Sequence, residues 1–266
     1  MAMARPVSEL ASLLDQVPLV LVPAVLAALF FIAAELGYAY HRRMGRRGSA
    51  EDETQVLQTA LLVLALLLGF TFSMALERYD TRRDLVVAEA NDIGTAWLRA
   101  GFAPAPHGPA LQAALLAYAR VRQASPLPGD TARLTQAAQR RAIVWERAAA
   151  AQARLDGARA TSLIAAVNQV LDTGTTREKA VAARVPAEVI LLLILFAAVA
   201  CFLLGYVLEA HGDRHRFASV VLFGLMGLTL MLILDLDRPA DGAILVDQSA
   251  MRELVIQLET ARVPGQ

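Results

Sequence analysis

The stretch Leu61–Arg99, LLVLALLLGFTFSMALERYDTRRDLVVAEANDIGTAWLR, decides the fold. It opens inside an uncharged apolar run, Val56 to Leu76, and then becomes charged with no helix breaker between the two parts. From Glu77 to Arg99 there is no proline, and the only glycine is Gly94. Leu76, Tyr79, Leu85, Val86, Ile93, Ala96 and Trp97 recur at roughly helical spacing, with arginines and carboxylates between them. This pattern predicts a single helix that crosses a bilayer and continues into water, a rod joining a membrane domain to an aqueous one.

Working outward, four stretches are long enough to span a bilayer, which takes roughly 20 apolar residues. They are Val17–Tyr40, Val56–Leu76, Pro186–Leu208 and Phe217–Leu234. The composition agrees: 56% of the 266 residues are hydrophobic, and mean hydropathy is +0.47. The first stretch has few basic residues before it and no small-residue cleavage site after it, so it is expected to be a retained span. Lys and Arg number 25, as do Asp and Glu, so bulk charge gives no argument for a nucleic-acid partner. The one cysteine, Cys201, excludes a disulfide within the chain and argues against a cysteine metal site.

The expected fold class is therefore an all-α membrane protein, with four transmembrane helices and a helical extramembrane domain. Residues 1–76 hold an N-terminal segment and the first transmembrane hairpin. Residues 77–185 form the helical domain that continues from the second span. Residues 186–234 form the second hairpin, and 235–266 a tail packed on the helical domain. Met1–Gln16 is polar to mildly amphipathic. In the helical domain, a helix to Gln123 is followed by the turn Ser125–Asp130, where Asp130 is a candidate N-cap. A long Ala- and Arg-rich helix, Thr131–Val170, is expected next. A break at Asp172–Thr176, centred on Gly174, follows it. Gly242–Val246 suits a short extended piece, and Ser249–Thr260 an amphipathic helix. No run of alternating β-branched residues suggests a sheet. The first loop carries Arg42, Arg43, Arg46 and Arg47. Arg5, Arg78, Arg82, Arg83, Arg177, Lys179, Arg184 and Arg238 lie near span ends on the opposite side, so the basic-residue bias leaves sidedness open.

The words GFTFSMALERYDTRRDLVVAEANDIGTAWLR and ILDLDRPADGAILVDQ resemble the signature of the bestrophin-like bacterial membrane proteins. The resemblance spans nearly the whole chain. It is most specific at Gly69-Phe70, Arg78-Tyr79 with Arg82 or Arg83, Glu89-Ala-Asn91, and Asp235 to Pro239. More distantly, Leu68-Gly69-Phe70, Ala75, Arg78-Tyr79, Arg82 and Asn91 are similar to the second span of the bestrophin anion channels. The chain lacks the tryptophan-rich run that follows that span and the acidic calcium clasp of the animal proteins. The resemblance implies a pentameric channel in a bacterial inner membrane, with its helical domain in the cytoplasm. It implies membrane lipid and small inorganic anions, chloride above all, as partners, and no cofactor.

Within that resemblance, Leu62, Leu66 and Phe70 lie four apart and would ring an apolar neck that gates by dewetting. Thr71 and Ser73 offer hydroxyls nearby, and Gly69 allows a hinge or a close helix approach. Arg78, Arg82 and Arg83 would set a positive field in a vestibule. Homo-oligomerisation is expected, because a single four-helix subunit is too narrow to hold an aqueous pore lined by side chains. The alternative is a non-conducting membrane scaffold or sensor that acts through its helical domain.

Other polar residues have plainer readings. Glu35 is expected to pair with Arg42 or Arg43 at the interface. Glu89, Asn91 and Asp92 are expected to reach the Arg-rich stretch Arg140–Arg159. Asp235, Asp237 and Arg238 form a structural polar cluster with Glu89 and Asn91. The carboxylate pair Asp235/Asp237 is a weak cation signal. His211 and His215 are four apart but sit in a short loop, so no metal site is expected. No nucleophile–base set, phosphate loop or catalytic carboxylate pair is present, so no catalytic residue and no enzyme activity are expected.

Overall fold

The computed structural model describes residues 18–44, 50–124, 130–210, 216–239 and 242–261. Met1–Gln16, most of the SPLPGD turn and the His211/His215 pair lie outside the described residues. After a single turn of 3-10 helix come α1 (Val22–Met44), α2 (Ala50–Ala100), α3 (His107–Arg122) and α4 (Thr131–Gln152). They are followed by α5 (Gly157–Ala182), α6 (Ala187–Ala210), α7 (Arg216–Asp237) and α8 (Ser249–Ala261). Among the described residues there is no strand, and Gly242–Val246 is irregular. Four helices are long and apolar enough to cross a membrane. Helix α2 runs 51 residues without interruption, as its lack of breakers dictates.

The chain forms two compact units, 1–77 with 185–238 and 78–184 with 239–266. In the first, α1 packs along α6 with very close backbones. A methyl group at Gly37 would run into the Phe202 carbonyl, and one at Gly205 into the Ala34 carbonyl. Glycine at both positions is what allows this approach, in a medium where van der Waals packing drives association. Val22, Leu26 and Phe30 of α1, Leu193, Ala197 and Ala200 of α6, and Phe223 and Leu230 of α7 are buried. Tyr40 lies against Phe202 and Tyr206, and the Tyr206 hydroxyl donates to Glu53 at 3.1 Å. Glu35 pairs with Arg216 at 3.4 Å rather than with Arg42 or Arg43, because α1 lies beside α7. Asp235, Asp237 and Arg238 are buried, and Asp237 accepts the Val185 N–H at 2.8 Å.

In the second unit the C-terminal half of α2 packs with α3, α4, α5 and α8 around Ile93, Leu111, Leu115, Val144, Leu163, Val167 and Met251. Two sequence expectations fail here. The long helix from Thr131 ends at Gln152, and Asp156 caps a new helix by accepting the Arg159 N–H at 2.9 Å. The expected break at Gly174 is absent, and α5 runs through it. Gly174 is instead a gap in the helix surface, since a methyl group there would collide with the Tyr118 hydroxyl. Glycine costs helix propensity but gives space, and here the space is what the fold uses.

Candidate functional site

Helix α2 presents two different faces. In the first unit it buries Leu57, Leu64, Thr71 and Ala75. Leu62, Leu66 and Phe70 are 72%, 57% and 64% exposed on the opposite side. Gly69 has no neighbour within 4 Å. The same exposed phase carries Gln55 and Thr59 before Leu62, and Ser73 and Glu77 after Phe70. Its apolar part, 62–70, is about 12 Å long by helical rise. A hydrocarbon core is about 30 Å thick. Thr59 and Ser73 flank this apolar part on the same face, and the Thr59 hydroxyl donates to the Gln55 carbonyl at 2.9 Å.

In the second unit, α2 exposes Asp80, Asp84, Val87 and Asn91. Counting by three or four residues from Glu77, these continue the same helical phase. The arginines do not share it. Arg82 is 1% exposed and donates to the carbonyls of Ala180 at 3.1 Å and Ala183 at 2.7 Å. It thus satisfies carbonyls that the C-terminus of α5 leaves open. Arg78 is half-buried, one residue out of phase, and its Nε is buried without a hydrogen-bond partner. Arg83 is exposed on a flank. Of the three arginines read from the sequence as one ring, Arg78 and Arg82 thus lie four apart on the side away from Leu62, Leu66 and Phe70, and Arg83 lies on another side.

Glu89 is fully buried and organises the aqueous unit. Its Oε1 accepts from Tyr118 at 2.7 Å and from Arg122 Nε at 2.8 Å. Its Oε2 accepts from Arg122 Nη2 at 3.1 Å and Arg177 Nη1 at 2.6 Å. Arg122 also donates to Glu178 at 3.0 Å, and Glu178 pairs with Arg141 at 3.1 Å. Arg177 Nη2 donates to Gln248 at 2.6 Å, tying in the segment before α8. Asp92 accepts from Thr173 at 2.6 Å, while Asn91 stays exposed. The partners of Glu89 are therefore on α3 and α5, not on the Arg140–Arg159 stretch, and Asn91 does not join it. Arg122, Tyr118 and Gln248 were not singled out from the sequence, Arg177 was read only as a basic residue near a span end, and Gly174 only as a helix break. Arg122, at the end of a helix that is apolar through Ala113–Ala119, was the one available signal.

Burial opposes the charge on Glu89, but the guanidiniums of Arg122 and Arg177 outweigh it and hold the carboxyl below its ordinary value. Burial, and then the Glu89 carboxylate, push the Tyr118 phenol upward, so it stays a neutral donor. A carboxyl depressed in the folded state contributes stability above its ordinary value of 4.5. That contribution is lost as pH falls through the lower folded value. Stability of the aqueous unit is therefore expected to drop steeply on acidification below about pH 4. The acid limb should flatten in Glu89→Gln, as read by denaturant melts across pH. Among the described residues no group of His, Cys, Asp and Glu is arranged to hold a metal ion.

These features define the class: an integral membrane protein of four apolar helices with a helical aqueous unit locked by buried ion pairs. A family model of the Bestrophin-like domain matches residues 22–251, and the chain belongs to that family. Solved structures similar to it include crystal structures of a bacterial bestrophin homologue from Klebsiella pneumoniae. One point mutant of it superposes with a TM-score of 0.67 at 17% identity, over 91% of this chain and 98% of that one. Another has a TM-score of 0.69 at 16% identity, over 93% of this chain and 100% of that one. No curated protein matches the chain. At these identities the structures show the fold.

Proposed function

We propose that this chain is the subunit of a homo-oligomeric ion channel whose pore is lined by the exposed face of α2. The carrying observation is the shortness of the apolar segment on that face, Leu62 to Phe70, between Thr59 and Ser73. A ring of subunits would close these side chains into an apolar neck that excludes water until it widens. Family membership supports the reading, and a pentamer in a bacterial inner membrane, with the helical unit in the cytoplasm, is what the resemblance implies.

The resemblance also implies small anions, chloride among them, as the permeant species. The charges in phase with the neck support the opposite sign. They are Glu77, Asp80 and Asp84, all exposed, while Arg82 is spent inside the fold. Carboxylate rings at a pore mouth concentrate cations. We therefore read the channel as favouring small inorganic cations. Anion conduction is the second reading, supported by the exposed Arg83 and by the resemblance.

The test is ion flux from liposomes holding folded, oligomeric protein, with potassium and chloride release read separately. Truncating the neck in Leu66→Ala or Phe70→Ala is expected to raise flux several-fold over wild type, because a wider apolar constriction wets more readily. Flux absent from all three proteins would move the assignment to a scaffold that works through the exposed Trp145, Leu98 and Ile256 of its aqueous unit.

A further inference from the structure

We draw no further inference here: the strongest candidate, the surface patch on the side of α4 where Leu134 and Trp145 lie exposed, carries nothing, because nothing in the structure shows what covers it.

Discussion

Glu89→Gln is expected to destabilise the aqueous unit by about 3–5 kcal/mol, the cost of leaving buried charges without their partner. The change is nearly isosteric, so the loss is electrostatic. Arg122 and Arg177 are each within 2.8 Å of a Glu89 oxygen and almost wholly out of water, and glutamine offers them one carbonyl and no charge. The protein carries its own reporter. Its two tryptophans are Trp97 and Trp145, and both belong to this unit. Denaturant melts followed by tryptophan fluorescence therefore read this unit alone. The sharper comparison is a triple variant, Glu89→Leu with Arg122→Met and Arg177→Met. Removing Glu89 together with both of its arginines leaves Glu178 still paired with Arg141, and replacing a buried ion triad by apolar residues is often neutral. The triple variant should thus be more stable than Glu89→Gln. A Glu89→Gln protein that unfolds like wild type would mean that the cluster is hydrated in solution.

The second large effect concerns selectivity. Asp80 and Asp84 lie on the exposed side of α2, away from the core that buries Arg82, Val86 and Glu89. Neither holds the fold together, so Asp80→Asn with Asp84→Asn should assemble normally. In an oligomer each substitution removes one negative charge per subunit, and the ring amplifies the loss. The permeability ratio of potassium to chloride is expected to fall about tenfold, since clefts of one sign raise local counter-ion concentration by at least that factor. Reversal potentials under a salt gradient measure this ratio. A ratio unchanged by the double substitution would place the selective charges elsewhere, and a wild-type ratio favouring chloride would restore the anion reading.

The parts of the fold that the sequence disclosed rest on long uninterrupted patterns. The rod of α2 was legible because nothing between Val56 and Arg99 breaks a helix, and its exposed apolar face because Leu62, Leu66 and Phe70 repeat at one helical phase. The aqueous unit was harder to read, for identifiable reasons. Arginine is by default a surface residue, so Arg122 and Arg177 gave little sign of turning inward. Their burial depends on a carboxylate brought from α2, a contact between residues 33 and 88 positions apart. Gly174 looked like a breaker because a lone glycine weakens a helix, yet its value is the room it gives Tyr118. The true break at Asp156-Gly157 did carry a turn signal, an N-capping aspartate followed by glycine, which the alanine-rich surroundings masked. The arginines after the second span were grouped by proximity in sequence. Helical phase separates Arg82 from Arg83, and the end of α5 claims Arg82.

The central claim, that the exposed face of α2 lines a conducting pore, is tested most directly by cysteine modification. Cys201 is the only cysteine and is buried, so a Cys201→Ser background is free of thiols. Ser73→Cys in that background would place a thiol on the exposed phase just beyond Phe70. Leu195→Cys places one on an exposed position of α6 as the control. Current through purified protein in a planar bilayer is recorded before and after a bulky, charged, water-soluble thiol reagent. The account predicts that current through Ser73→Cys is blocked while current through Leu195→Cys is untouched. A Ser73→Cys current that survives the reagent, or no current from any of these proteins, would contradict it.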